Sequence, residues 1–187
     1  MTGPRFEVVP GRPEHRQVVK NLLQLYQYDF SEFAGGVVGE DGLFHYIDRL
    51  DEHFGQPGFH PFLLTVYDED PATNTSAWRP AGFAFVASAT YFAPRPEPDQ
   101  QLIAEFFVMR KYRRAGLGSA LARHCFDAFP GRWEVGEVPS NLGAQAFWRR
   151  VIGEYTGGRF AEVTLDDDRW QGPVQTFDNS RYAPRPA

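Results

Sequence analysis

Cysteine is almost absent from this chain of 187 residues, which contains only Cys125. A single thiol cannot form an internal disulfide bond. Cys125 falls on the apolar side of a predicted helix, where cysteine behaves as a small buried hydrophobic residue. We therefore do not expect a reactive thiol.

Long apolar runs and an excess of positive charge are also missing. No stretch reaches the roughly 18 apolar residues of a membrane span, and the N-terminus has no hydrophobic signal core. These absences favour a cytoplasmic protein with no membrane partner. The formal net charge is -5 and the isoelectric point is near 5.5. Both values argue against nucleic-acid binding, because backbone binding needs a concentrated cationic surface.

Metal-binding patterns are missing as well. His45 and His53 lie in one predicted helix, and neither has a cysteine or carboxylate partner at metal-ligand spacing. We interpret them as solvated or hydrogen-bonded surface groups, and we expect no metal ion.

The chain does contain enough apolar material for one well-filled domain. Hydrophobic residues make up 42% and aromatic residues 16% of the sequence, and the length suits a single domain. We place this domain at residues 1–178. Residues 179–187 are polar and rich in proline and arginine, which predicts a frayed tail.

Alternating and helical apolar patterns predict a strand, two helices, three strands, a helix, a strand, a helix and two strands. The second predicted helix covers residues 43–54, and the last one ends near residue 151. A polar segment at 68–78 predicts a hairpin with a long loop. This order indicates a mixed α/β fold, with helices on both faces of a mixed sheet.

The most informative stretch covers residues 104–120. Residues 102–109 are apolar except for Glu105 and predict a mostly buried strand. Small or apolar residues then recur about once per helical turn from Leu117 to Ala128, where Pro130 and Gly131 stop the pattern. A strand therefore leads into a helix through residues 110–118.

This strand-to-helix turn has the composition of an anion site. A helix start presents unpaired N–H groups, and Gly116 and Gly118 remove side chains that would keep a ligand away. Arg113 and Arg114 add donors suited to phosphate oxygens. A dinucleotide fingerprint would need glycine or alanine where Leu121 stands, and a P-loop would need Gly-Lys-Ser/Thr. The remaining alternative is an ordinary turn with exposed arginines.

The pattern Arg113-x-x-Gly116-x-Gly118 after a hydrophobic strand resembles the coenzyme A pyrophosphate loop of the GCN5-related N-acetyltransferase (GNAT) superfamily. The order of elements is similar too, so the resemblance covers nearly the whole chain. It implies a mostly antiparallel sheet with a splay between two central strands. It also implies transfer of an acyl group, most often acetyl from acetyl-CoA, to an amine on a small molecule or protein. Homodimers are common in this superfamily.

The resemblance also implies roles for individual residues. The backbone of Val108 and Met109 would hold the pantetheine arm, and the Val108 N–H would be the oxyanion donor. The pyrophosphate would be bound by Arg113, Arg114, Ala115, Gly116, Leu117, Gly118 and Ser119. A second family element matches Asn141, Ala144, Phe147 and Trp148, of which Asn141 and Trp148 would contact the coenzyme. A helix N-cap is the alternative role for Asn141.

Trp148 departs from the family, because many relatives carry a tyrosine there as the general acid for the departing thiolate. An indole cannot supply that proton. Tyr155 is the nearest replacement in sequence, although a structural aromatic after the last helix is the alternative. A thiol with a reference pKa of about 8.5 is also a tolerable leaving group without an acid.

The acceptor amine needs a base, because an amine with a pKa of about 10.4 is almost fully protonated at pH 7. Glu105 is the only acid in the apolar strand, and burial would raise its pKa toward the useful range, with a water as relay. A structural ion pair with an arginine is the alternative. Glu134 and Glu137 are weaker candidates, since either could face solvent.

Aromatic residues and one acid predict the acceptor wall at the first helix. These residues are Tyr26, Tyr28, Asp29, Phe30 and Phe33. They would suit a cationic or amphipathic amine, although core packing also accounts for some of them. Because Trp148 removes the usual acid, we keep one alternative function, an inactive regulatory module that binds acyl-CoA.

Overall fold

A computed structural model describes residues 4–45 and 54–181 of the chain. Its strands are β1 (Phe6–Pro10), β2 (Phe59–Asp70), β3 (Thr75–Ala87), β4 (Gln100–Val108), β5 (Arg132–Gly136), β6 (Ala161–Asp166) and β7 (Gln171–Asp178). Its helices are α1 (Arg16–Ala34), α2 (Leu117–Ala128) and α3 (Leu142–Thr156). Within the described ranges, the strands form one sheet in the order β1-β2-β3-β4-β5-β7-β6. The predicted mixed α/β class is confirmed.

The sheet is antiparallel except between β4 and β5. That parallel pairing is short, because it begins at Gln100 with Arg132 and ends at Ile103 with Val135. Strand β4 continues to Val108 with β3 on one side only. The two strands therefore part after Ile103, and the predicted splay is present.

Helices cover both faces of the sheet, as predicted. Helix α1 packs Val19, Leu22 and Leu23 against a cluster that includes Phe83 and Phe107. Helices α2 and α3 pack on the opposite face, in a larger cluster. Apolar burial on both faces holds β4 in the middle of the molecule.

The predicted long hairpin loop between β2 and β3 is wrong. The two strands pair from Asp70 and Thr75 inward, so the turn contains only residues 71–74. Polar residues hid these strand ends, because both faces of the sheet are solvated there. The Arg5 guanidinium lies 5.3 Å from the Tyr67 ring and 5.2 Å from the Trp78 ring, which helps to hold this extension in place.

The C-terminal part also differs from the prediction. Helix α3 runs on to a left-handed cap at Gly157 (φ +62°), so Tyr155 lies inside the helix. Asn179 is buried; its side chain donates to the Phe126 carbonyl at 2.7 Å and accepts from the Gly131 N–H at 2.7 Å. The folded part therefore extends past residue 178. The predicted helix at 43–54 lies mostly outside the described residues.

None of the helices in the described ranges is long and apolar enough to cross a membrane.

Candidate active site

The open edge of β4 is the first component of the site. The Met109 N–H donates to the Ala81 carbonyl on β3 at 2.8 Å. Because N–H groups alternate along a strand, the Val108 N–H points the other way, into the splay. The Val108 N–H is therefore directed away from β3, toward the space between the parted strands. Met109 does not offer its N–H to a ligand, because β3 already holds it.

The turn between β4 and α2 supplies a cluster of free backbone donors. Gly116 precedes the helix with φ +82°, and Arg114 has φ +64°. The Ala120 N–H donates to the Gly116 carbonyl at 3.0 Å. Within residues 4–45 and 54–181, no acceptor bonds to the N–H groups of residues 116–119. A helix start with several free N–H groups favours an anion.

The two glycines of this turn serve different purposes. A Cβ on Gly116 would meet nothing within 4 Å, so this glycine is required by its positive φ. A Cβ on Gly118 would lie 3.2 Å from the Phe147 ring. Gly118 therefore allows α2 to pack closely on α3, which the sequence pattern does not reveal.

Arg113 is engaged by the protein itself. Its Nε donates to the Val108 carbonyl at 2.7 Å, and its Nη2 contacts the Asp29 carboxylate. Arg110 also binds Asp29, with Nε at 2.9 Å from Oδ1. Helix α1 is thus tied to the turn and to the end of β4. The Arg113 side chain is turned toward Asp29 but stays exposed, and Arg114 and Arg150 are two further exposed cations on the same wall. Arg150 is paired with Glu154 at 3.3 Å.

A groove of about 780 Å³, the donor groove, runs along the turn and the open edge of β4. Its walls include Val108, Arg114, Gly116, Ser119, Phe147 and Arg150. A second cavity of about 490 Å³, the acceptor cavity, lies across the splay, and its walls include Gln27, Tyr91, Glu105, Glu137, Val138 and Trp170. Both spaces are lined by Tyr26, Phe30, Phe106, Asn141, Ala144 and Trp148. The two spaces therefore meet where β4 and β5 part.

A splayed sheet with an N–H cluster at the following helix can be compared with known proteins. The sequence profile of the Acetyltransferase (GNAT) family matches residues 46–153, which is more than half of the chain. The chain belongs to the acetyltransferase (GNAT) family. No curated protein matches this sequence.

Solved GNAT-type structures share the fold at low identity. The ribosomal-protein-S18-alanine N-acetyltransferase of Escherichia coli is 14% identical, with a TM-score of 0.54, over 97% of this chain and 99% of that one. The aminoglycoside acetyltransferase meta-AAC0020, from an uncultured soil metagenomic sample, is 14% identical with a TM-score of 0.59, over 89% and 95%. A GNAT acetyltransferase of Staphylococcus aureus Mu50 is 12% identical with a TM-score of 0.56, over 92% and 98%.

The second family element of this GNAT chain lies at the start of α3. The Asn141 side chain accepts from the Ala144 N–H at 2.9 Å, so the predicted N-cap is present. Trp148 is 5% exposed and packs its ring 4.8 Å from that of Phe106. Both residues line the junction of the two spaces, where the coenzyme contact was predicted.

The structure does not bring Tyr155 to the site. Its hydroxyl donates to Asp127 Oδ1 at 2.7 Å and accepts from Asn179 Nδ2 at 3.3 Å. Its ring packs against Phe126 and Phe177, and it lies outside the walls of both spaces. We therefore drop Tyr155 as a general acid, because nearness in sequence to Trp148 does not place it near the splay.

The predicted acceptor wall on α1 is divided between the two spaces. Tyr26 and Phe30 line both, whereas Asp29 and Phe33 line the donor groove. Tyr28 is 67% exposed and lines neither. A helix presents residues i, i+3, i+4 and i+7 on one face, which selects Tyr26, Phe30 and Phe33 but not Tyr28.

The three candidate acids differ in their surroundings. Glu105 is half-buried on the wall of the acceptor cavity. Glu134 accepts from the Thr90 hydroxyl and the Tyr91 N–H, both at 2.6 Å, so it fixes a loop; burial raises its pKa.

Glu137 is the acid whose importance the sequence did not show. It is 4% exposed and lines the acceptor cavity. Neither carboxylate oxygen has a hydrogen-bond partner among the described residues. Burial raises the pKa of Glu137 to about 8. The expectation that Glu134 or Glu137 could face solvent is wrong, since both are buried.

Proposed function

We propose that this protein is an acyl-CoA-dependent N-acyltransferase that transfers acetyl from acetyl-CoA to a primary amine by direct attack. One observation carries the proposal. The free N–H groups of Gly116, Gly118 and Ser119 and the Val108 N–H line one groove, and that groove opens into a second cavity beside Glu105. This arrangement suits a substrate with a diphosphate at one end and a reactive carbonyl at the other.

The donor groove fits coenzyme A by its charge and by its donors. The N–H cluster lies at the positive end of α2, where an anion is favoured. Arg114 and Arg150 add positive charge along the walls. When bound, acetyl-CoA supplies an acetyl thioester. The Val108 N–H would then donate to the carbonyl oxygen, where negative charge develops during the reaction.

Glu105 is the proposed base. An amine with a pKa of about 10.4 pays on the order of 4–5 kcal/mol to lose its proton at pH 7. Glu105 accepts that proton, directly or through one water. The amine nitrogen forms a bond to the acyl carbon as the carbon–sulfur bond breaks. The sulfur leaves as a thiolate, which a thiol pKa of about 8.5 allows near neutral pH.

Direct transfer is favoured over a covalent enzyme intermediate on the thiol. Cys125 is the only cysteine of the chain, and it is completely buried in α2. Burial raises its pKa, so the thiolate that would attack a thioester is strongly disfavoured.

The test measures free thiol released from acetyl-CoA in the presence of a panel of primary amines. Glu105→Gln should lower turnover by about 100-fold or more and leave the dissociation constant of coenzyme A within about twofold. Glu97→Gln, at an exposed acid outside both spaces, is the matched control. Full turnover by Glu105→Gln would remove Glu105 as the base. Coenzyme binding without transfer to any amine would support a binding module instead.

A further inference from the structure

The acceptor cavity is acidic and aromatic. Of its described lining residues, the acids are Glu105 and Glu137, and no lysine or arginine is among them. The remaining titratable neighbours include His45, which is 3.1 Å from Asp41 Oδ1. Rings on several sides come from Tyr26, Phe30, Phe44, Tyr91, Phe106 and Trp170. Such walls select a ligand with an apolar body and positive charge.

Glu137 gives this cavity a second fixed polar point, distinct from Glu105. It follows directly after β5, and its own N–H donates to the Pro173 carbonyl at 3.1 Å, which holds its backbone to β7. Its side chain is almost completely buried, with both oxygens unpartnered within the described ranges. A buried carboxyl without a partner is unfavourable unless a bound group satisfies it.

The charged groups around Glu137 do not neutralise it. Arg149 on α3 lowers the pKa of Glu137 by its charge, but Arg149 already binds Glu162 on β6, at 2.7 and 2.6 Å. Gln175 on β7 donates its Nε2 to Glu162 as well, at 2.8 Å. Both groups therefore make their hydrogen bonds to Glu162; Gln175 also lowers the pKa of Glu137, but less than burial raises it. Because Glu137 lines the acceptor cavity, a cation or donor that satisfies its carboxyl has to approach from that side.

We propose that the acceptor is a small diamine whose apolar spacer lies among the aromatic rings, with its reacting amine at Glu105 and its second ammonium group at Glu137. This inference rests on the proposed function, because it names the substrate class of the same site. It makes Glu137 a specificity-determining residue and leaves the chemistry to Glu105.

The proposal includes a linked proton. Because its pKa is about 8, Glu137 is protonated at pH 6–7 in the free protein. A bound ammonium group favours the carboxylate, so the diamine displaces this proton when it binds. The preference for a diamine over a monoamine should then rise with pH between 6 and 8, by up to about tenfold per pH unit. Deprotonation of the reacting amine is common to both ligands and cancels in this ratio.

Calorimetry on the full chain loaded with coenzyme A tests the proposal without requiring turnover. The probes are two matched pairs, hexylamine with 1,6-diaminohexane and benzylamine with 1,4-bis(aminomethyl)benzene. We expect at least one of the two diamines to bind at least tenfold more tightly than its matched monoamine at pH 7.5. In Glu137→Gln the advantage should fall to about the twofold statistical factor of two equivalent amines. Glu97→Gln, at an exposed acid outside both spaces, is the control and should keep the full advantage.

Equal binding of diamine and monoamine in the wild-type protein would overturn the proposal, as would an advantage that survives in Glu137→Gln. If that variant does not fold, a ratio that stays flat between pH 6 and pH 8 in the wild type overturns it instead. Acetylation of monoamines without a diamine preference would remove only this inference. A diamine preference without acetyl transfer would remove the proposed function and keep the binding site.

Discussion

The two spaces that meet at the splay are built from different materials. The donor groove depends mainly on backbone N–H groups from one short part of the chain, at Val108, Gly116, Gly118 and Ser119. The acceptor cavity depends on side chains from α1, β4, β5 and the loops around Tyr91 and Trp170. Backbone donors bind the same group whatever side chains surround them, whereas side chains determine which acceptor fits. This contrast explains why the donor can be inferred for a whole family and the acceptor only for one member.

The largest expected effect is that of the buried Glu137 carboxyl, on the wall of the acceptor cavity, on the free energy of unfolding. The Glu137 carboxyl has a pKa of 4.5 when unperturbed and about 8 in the folded protein. The folded state binds this proton more tightly than the unfolded state does. Proton binding at Glu137 therefore adds to the free energy of unfolding fully below pH 4.5, and this stabilisation is lost as the pH rises through 8. Glu137→Gln should therefore be more stable than wild type by several kcal/mol at pH 9, since a tenfold change in proton affinity is worth about 1.4 kcal/mol.

The measurement for Glu137→Gln is urea unfolding at pH 5, 7 and 9. The difference in unfolding free energy between variant and wild type should grow between pH 5 and pH 8 and level off above pH 8. A difference independent of pH would mean that Glu137 does not hold its proton in the folded protein.

The next effect tests the backbone side of the comparison. Ser119→Glu places an acid in the first turn of α2, on the wall of the donor groove. The charge should weaken coenzyme A binding about 100-fold by repelling the diphosphate, while it stabilises the helix start by about 0.3–1 kcal/mol. Ser119→Gln, which adds similar bulk without charge, is the control. Calorimetry should show a lower affinity for coenzyme A, and thermal unfolding a higher midpoint, in Ser119→Glu. Ser119→Gln should not show this combination.

This test is cleaner than a substitution of Gly118. A side chain at Gly118 would meet the Phe147 ring at 3.2 Å, so any change there also disturbs the packing of α2 on α3. Weakened binding by Gly118→Glu would therefore mix two causes. If Ser119→Glu binds coenzyme A with unchanged affinity, the turn is not the anion site.

A smaller effect tests whether Tyr155 stabilises the core without contributing to the site. Tyr155→Phe removes the hydroxyl that bridges Asp127 and Asn179. The free energy of unfolding should fall by about 1–2 kcal/mol, and coenzyme affinity should stay within twofold of wild type. Tyr28→Phe, at an exposed position of α1, should change neither quantity. A loss of turnover greater than the loss of folded protein would restore Tyr155 as a candidate acid.

The sequence predicts features formed by adjacent residues better than features formed by residues that are distant in sequence. The shape of the turn was predictable because adjacent residues determine it, as where Gly116 supplies the positive φ directly before α2. The contact between Arg113 and Asp29 joins residues 84 positions apart, and no local pattern encodes it. Glu137 was undervalued because it lies one residue past the end of β5, where strand alternation no longer says which way a side chain points. Tyr155 was proposed from nearness in sequence, which a helix does not convert into nearness in space.

The smallest expected effect concerns the contact that joins the two regions. Asp29→Asn removes the charge that holds Arg110 and Arg113, and it should loosen the turn against α1. If the pair preorganises the turn, coenzyme A affinity should fall about fivefold, which corresponds to about 1 kcal/mol. Glu32→Gln, an exposed acid one turn along α1, is the control and should change nothing. Tighter binding in Asp29→Asn would show the reverse relationship, in which Asp29 competes with the diphosphate for the Arg113 guanidinium and α1 restrains the donor groove.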